Sequence, residues 1–342
     1  MTDRANTFRT IIRIIFTFFL ISCSKGDEQS FLEDQAGLLD EAQKQYLNDY
    51  NNALLHDVDI HFKLIILAEQ AEDIDEMASA VFGNLGKKTS GAKGLLFLVD
   101  PQGKQARIEV GYDLEGVFPD GFVGYIEEKQ MVPFFEVGKV GIGVVAATEL
   151  FVSRVQRSIA GDRFDPSQEI GAQRYFSGGG GAKVSVDIGS GEHDKGGRAG
   201  GQYKAQARPE ETLKEYMRVL RAHEKNPQLS LFTPETREFF SKWVVTDGQQ
   251  DNELRSVEQA TPESVVISGD YAVIRFPVEK RSQPPYFMRR GVDGWMLDFW
   301  TMSNVIRMNH KNYYHFKSFE HPYTFAFSDW KFDNNGFPII SR

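Results

Sequence analysis

The sequence predicts an α/β sandwich followed by a separate α+β domain, and three observations carry that prediction. From Phe31 to about Ile159, amphipathic helices alternate with apolar strands, the order that builds a sheet with helices on both faces. From Gly178 to Gly201, ten of 24 residues are glycine, with Ser, Lys, Asp and His between them, as a flexible linker requires. From about Pro209, helices come first and strands then follow in series, which is an α+β order. A chain of 342 residues is long enough for two cores. The expected boundaries are 1–23 for a signal segment, 31–160 for the first domain, 177–205 for the linker and 209–342 for the second domain.

The N-terminus carries Arg4, Arg9 and Arg13, then an apolar run from Ile14 to Ile21. A basic segment, a short apolar segment and small residues at a cut site make a secretory signal. The run falls short of the ~20 apolar residues of a membrane span. Cys23 is the only cysteine, so no intrachain disulfide can form. The stretch "LISC" resembles the lipobox of bacterial lipoproteins. That resemblance implies that Leu20 and Ser22 guide cleavage and that Cys23 is lipidated. Ser24, where Asp would imply inner-membrane retention, favours the outer membrane. Downstream, "VGIGVVAATELFV" is the most apolar stretch, and Glu149 and Arg154 break it as a span.

Residues 24–30 read as a polar tether. Leu39, Ala42, Tyr46, Leu47, Tyr50, Ala53 and Leu54 recur at helical spacing, and Asp40 with Gln43 reads as the capping box that starts this helix. "HFKLIILAE" is the next strand. Ile74, Met77, Ala78, Val81, Phe82 and Leu85 mark a second helix. "GLLFLVD" is continuously apolar, as a strand buried on both faces must be. "PQGK" turns the chain into "ARIEVGY", which alternates like a half-buried strand. A short helix from Phe122 to Gln130 and a longer one from Gly141 to Ile159 close the unit. A phosphate-binding loop in the glycine-rich stretch would need a strand before it and a helix after it, and neither is there.

In the second domain, Leu213, Tyr216, Met217, Leu220 and Arg221 mark a helix opened by Pro209 and Glu210. Thr233 caps another, with Pro234 in its first turn. The strands are "ESVVISGD", "YAVIRFPVEK", "PYFMRRGV" and "GWMLDFWTM", with Val292-Asp293-Gly294 as a hairpin turn. The aromatic tail "HPYTFAFSDWKFDNNGFPII" reads as a last strand.

The formal charge of −9, without a basic stripe, excludes nucleic acid as a partner and suits cations. The candidate chemistry lies where "ARIEVGYDLEGVFPD" leaves its strand. Asp113, Glu115 and Asp120 follow within eight positions, bracketed by Gly111 and Gly116, and Asp34 stands before the first helix. Ligands collect at strand ends in such sheets. Clustered carboxylates need a cation or proton, and oxygen ligands without His or Cys suit Ca2+ or Mg2+. Solvated loop carboxylates are the alternative. No Ser-His-Asp or Cys-His set accompanies them, and the only basic residues near the motif are Lys93 and Arg107. His56 with His61, and His310 with His315, could ligate a metal only with a third ligand, so surface or structural roles suit them better.

Residues 31 to about 155 resemble the TPM domain family. The matching residues are Asp34, Ala36, Gly37, Leu38 and Leu39, then Gly94 to Val99, Ile108, Gly111, Tyr112, Leu114, Glu115, Gly116 and Asp120, and finally Pro133, Phe134 and Gly138. The resemblance implies an α/β/α sandwich. It also implies a Ca2+ site at acidic loops in some members, lined here by Asp34, Glu115 and Asp120 with Asp113 as an added carboxylate, and acid phosphatase activity assigned to a plant member. Asp113 departs from the family's usual Gly, and Lys93 from its usual Asn. "GDYAVIRFPV" and "VDGWMLDF" resemble strands of the NTF2-like cone fold, whose hollow Tyr286, Phe287, Trp295, Phe299 and Trp300 would line, or else they form ordinary core. These expectations describe a lipid-anchored envelope protein that serves as a binding or accessory module for an envelope complex. A metal-dependent periplasmic hydrolase, and ligand binding by the second domain, are the alternatives.

Overall fold

The computed structural model describes residues 31–88, 93–164, 202–309 and 311–339. The signal segment, the tether, Cys23, His310 and the linker up to residue 201 lie outside the described residues. Phe31 to Arg342 make one unit, and within it two four-stranded sheets organise two lobes.

In the first lobe the order is β1 (Leu32–Asp34), α1 (Glu41–Val58), β2 (Ile60–Ile66), α2 (Ile74–Lys88), β3 (Lys93–Asp100) and β4 (Gln105–Val110). Helix α3 (Asp120–Tyr125) then runs without a break into a π-helical turn (Ile126–Met131), followed by α4 (Val132–Glu136) and α5 (Val140–Ile159). The sheet order is β1-β2-β3-β4, with β1, β2 and β3 parallel and β4 antiparallel. Along β3 the buried residues alternate between two cores. Leu95, Phe97 and Val99 face α1 and α5, whereas Leu96 and Leu98 face α2. Helices therefore cover both faces, and the apolar run of β3 is buried as its sequence requires. Asp40 starts α1 with the full capping box to Gln43. β1 went unread as a strand because three residues at an edge carry no period. The single helix expected over Phe122–Gln130 is instead two, with the π turn between them.

The second lobe holds α6 (Pro209–Arg221), α7 (Pro234–Lys242) and α8 (Asp247–Glu258), then β5 (Ser264–Ser268), β6 (Tyr271–Arg275), β7 (Tyr286–Gly291) and β8 (Gly294–Leu297). Helix α9 (Phe299–Val305) and the pair β9 (Ile306–Met308) and β10 (Tyr314–Phe316) complete it. The four-stranded sheet is an antiparallel meander, and β7 and β8 close at the pair Gly291 and Gly294. Tyr203 and Ala205, expected in the linker, are buried in the second core because Gln206 bridges to Trp295. Among the described residues, the tail is no strand. It forms a 3-10 turn at Thr324–Phe327 and a single bridge, Phe332 to Pro338, while Tyr323 stacks on Phe287 and Phe332 meets Phe316 edge-on. Tyr286, Phe287 and Trp295 are core, whereas Trp300 is exposed. Among the described residues, no helix is long and apolar enough to cross a membrane.

Candidate functional site

The acidic turn is built for its own backbone. Asp34 ends β1, and its two carboxylate oxygens accept the N–H groups of Leu38 (3.0 Å) and Leu39 (2.9 Å). That ties down the loop into α1. Asp113 lies in a 3-10 turn (Tyr112–Leu114), Glu115 caps that turn through its backbone, and Asp120 opens α3. All three are exposed. Among the described residues, no three His, Cys, Asp or Glu side chains stand close enough to hold a metal ion. Asp113 keeps a negative φ, so the missing glycine causes no strain. Gly111 is required for a different reason than a ligand: a Cβ there would lie 3.1 Å from the Gly94 carbonyl oxygen.

Arg107 is not free to meet phosphate. It is buried on β4, and its Nε and Nη2 donate to Glu109 Oε1 at 3.0 and 2.9 Å, with Asp75 Oδ1 3.4 Å away. Beside it, Glu127 from the π turn accepts the outward N–H of Ile108 at 3.2 Å, which satisfies the open edge of the sheet. Burial drives the Glu127 carboxyl well above its ordinary range, against the pull of Arg107. The histidines sit apart. His56 is exposed in the last turn of α1, His61 lies in β2, and His315 contacts the Asn335 carbonyl at 3.1 Å.

The two lobes meet along a polar seam. Thr246 Oγ1 caps α8 by accepting the Gln249 N–H, and its hydroxyl proton goes to Gln130 Oε1 in the π turn. Ser153 Oγ on α5 donates to Asn252 Oδ1 at 2.7 Å. Asp251 on α8 accepts from the Tyr125 hydroxyl and contacts His223 Nε2 at 2.7 Å. Gly248 lets α8 approach this closely, since a Cβ there would lie 3.1 Å from Gln130 Oε1 and 3.2 Å from Leu150 Cδ1.

Beside the seam, α1 and α5 of one lobe and α8 of the other line a cleft of about 630 Å³, within the roughly 300–1,000 Å³ typical of ligand sites. One wall presents Glu149, which accepts the Tyr46 hydroxyl at 2.9 Å, and Tyr46 contacts Tyr50 Oη at 2.7 Å. The other presents Glu253, whose oxygens accept the hydroxyls of Tyr286 (2.9 Å) and Tyr216 (3.0 Å). Glu149 is exposed and Glu253 half-buried. Partial loss of water raises both carboxyls above their ordinary range, and the tyrosine donors oppose the rise. Arg157, Arg255 and Lys311 line the same cleft, so the site presents both charges.

Of these cleft residues only Tyr286 was expected at a site, as one of the rings lining the second domain's hollow. Glu149 did leave a signal, as a carboxylate inside an otherwise apolar helix, and it was read only as breaking a membrane span. Helix α8 also left one, because Thr246 with Gln249 three residues on is a capping box.

A sandwich whose helices cover a β1-β2-β3-β4 sheet, ending in an acidic strand exit, defines the class of the first lobe. The TPM domain family model matches residues 32–154, so the chain carries a TPM domain. The solution NMR structure of the N-terminal domain of a protein from P. gingivalis is similar to it at 25% identity and a TM-score of 0.35, covering 38% of this chain and 84% of that one. No curated protein matches.

Proposed function

We propose that this chain is a non-catalytic binding module, held at a bacterial envelope membrane by a lipid on Cys23, that takes a segment of an envelope partner into the cleft between its lobes. The cleft carries this reading: it has the volume of a ligand site, its walls carry both carboxylates and cations, and a seam of hydrogen bonds between the lobes flanks it. The second lobe, whose strands resemble the NTF2-like cone, supplies one wall. Binding rather than hydrolysis is supported by the engagement of Arg107 with Glu109 and by the role of Asp34 as a loop cap. A phosphoryl-transfer site needs a basic group aimed at the transferring phosphoryl.

Three measurements test the reading. Labelled fatty acid is expected to enter the full chain and to be lost in Cys23→Ser. Photo-crosslinking from Gln259 in intact cells is expected to yield a discrete adduct that Ser256→Trp abolishes. An aryl phosphate assay, with and without Ca2+, is expected to show no turnover. Turnover that disappears in Glu115→Gln would overturn the reading in favour of a hydrolase.

A further inference from the structure

A second, smaller cavity of about 210 Å³ lies within the second lobe, between α6, α7 and α8, on the far side of Glu253 from the interlobe cleft. Aromatic rings form its walls: Tyr216, Phe232, Phe240 and Trp243. Phe232 packs edge-on against both Tyr216 (6.1 Å, 73°) and Phe240 (5.1 Å, 76°). Two acceptors stand among these rings. Glu253 receives one hydroxyl proton on each oxygen, and a carboxylate oxygen has lone pairs for two. Gln250 is almost fully buried, and its amide nitrogen donates to the Glu224 carbonyl at 2.9 Å. That bond fixes the orientation of the amide, and its Oε1 has no partner among the described residues.

The lining therefore offers acceptors and π faces beside the donors of Asn226, Gln249 and Trp243. Its one cation, Lys225, is held by Asp247 Oδ1 at 2.6 Å. Ring faces and a partly desolvated carboxylate together select a positive charge, through the ring quadrupole and through charge-assisted hydrogen bonds. The volume is below the roughly 300–1,000 Å³ of drug-sized sites, so the ligand is small.

We infer that this cavity binds a small primary ammonium, its N–H groups donating to Glu253 and Gln250 and its carbons lying among the four aromatic rings. The site is distinct from the interlobe cleft and stands or falls apart from the function proposed above.

The test is ligand-observed NMR on the soluble protein with n-propylammonium, 1-propanol and propionate as probes. Propylammonium is expected to bind saturably, propanol about tenfold more weakly or worse, and propionate not at all, as a charge-assisted hydrogen bond requires. Glu253→Gln is expected to weaken propylammonium by about tenfold or more. That variant disturbs both tyrosines, so Trp243→Leu, at a residue 43% exposed, is the second test. A several-fold loss is expected there from the missing ring against the ligand's carbons. Propanol binding as tightly as propylammonium, or unchanged affinity in either folded variant, would overturn the inference.

Discussion

Thr246 hands its hydroxyl proton to Gln130, so the cap of α8 is at the same time a fastening to the π turn of the other lobe. Both residues are completely buried. Thr246→Val keeps the shape and removes both bonds. Losing a cap costs about 1 kcal/mol, and an orphaned buried acceptor about 1–3 kcal/mol more. Urea titration of wild type and variant reads the difference.

Gly248 gives a test of opposite sign. On helix propensity alone, Gly248→Ala stabilises by up to about 1 kcal/mol. Here the new methyl meets Gln130 and Leu150, so the variant is expected to lose about 1–3 kcal/mol through overpacking. A stabilised Gly248→Ala protein would mean the seam is looser than described.

His223 makes the seam sensitive to pH. Burial lowers its imidazole pKa, but the hydrogen bond and charge of Asp251, helped by Asp247, outweigh this, and the net shift is upward. A raised pKa means that the folded protein holds the proton more tightly. The stabilisation is complete below the ordinary value of ~6.5 and is lost as pH rises through the raised one. His223→Asn suits the left-handed backbone, φ 48°, and removes the charge. The variant's deficit in melting temperature is expected to be larger in mildly acidic than in alkaline buffer. A deficit that grows with pH would contradict the assignment.

Glu127 has the same sign for another reason. Its carboxyl is raised by burial, so any stabilisation it provides is present below its unfolded pKa and is lost as pH rises through the folded value. Glu127→Gln keeps an acceptor for Ile108 without the charge. The variant is expected to gain on wild type in urea stability as pH increases. Glu127→Ala is expected to cost about 1–3 kcal/mol by exposing an unsatisfied N–H to the core.

Asp34→Ala is expected to cost about 0.5–2 kcal/mol, the range for a lost cap, with or without Ca2+. Calorimetric titration of wild type with Ca2+ is expected to show no saturable site. Saturable binding that Asp34→Ala abolishes would restore the metal role the family resemblance implies.

Much of the first lobe was legible because burial imposes strong periods. The all-apolar β3, the two-residue alternation of β4 and the Asp40 capping box each follow from local chemistry. The π turn was not legible, since Ile126–Met131 carries the apolar spacing of an ordinary helix and widens only in the folded chain. The cleft was not legible either. Asp34, Asp113, Glu115 and Asp120 stand at strand ends or in one short turn, where a sequence reading finds them, and Asp34 holds the loop into α1. Glu149 and Glu253, by contrast, reach one cleft from different lobes, through tertiary contacts that no short stretch encodes. Helix α8 has few apolar residues because it buries Gln250 and meets the other lobe through the half-buried Asp251 and Asn252, so its period was invisible to a hydrophobic reading.

The central claim is that the seam joins the two lobes into one body around the cleft. Scanning calorimetry of the soluble protein from Ser24 to Arg342 tests it most directly. One transition is expected, with equal calorimetric and van't Hoff enthalpies, and Thr246→Val is expected to lower or split it. Two independent transitions in the wild type, with the first-lobe transition unmoved by Thr246→Val, would contradict it.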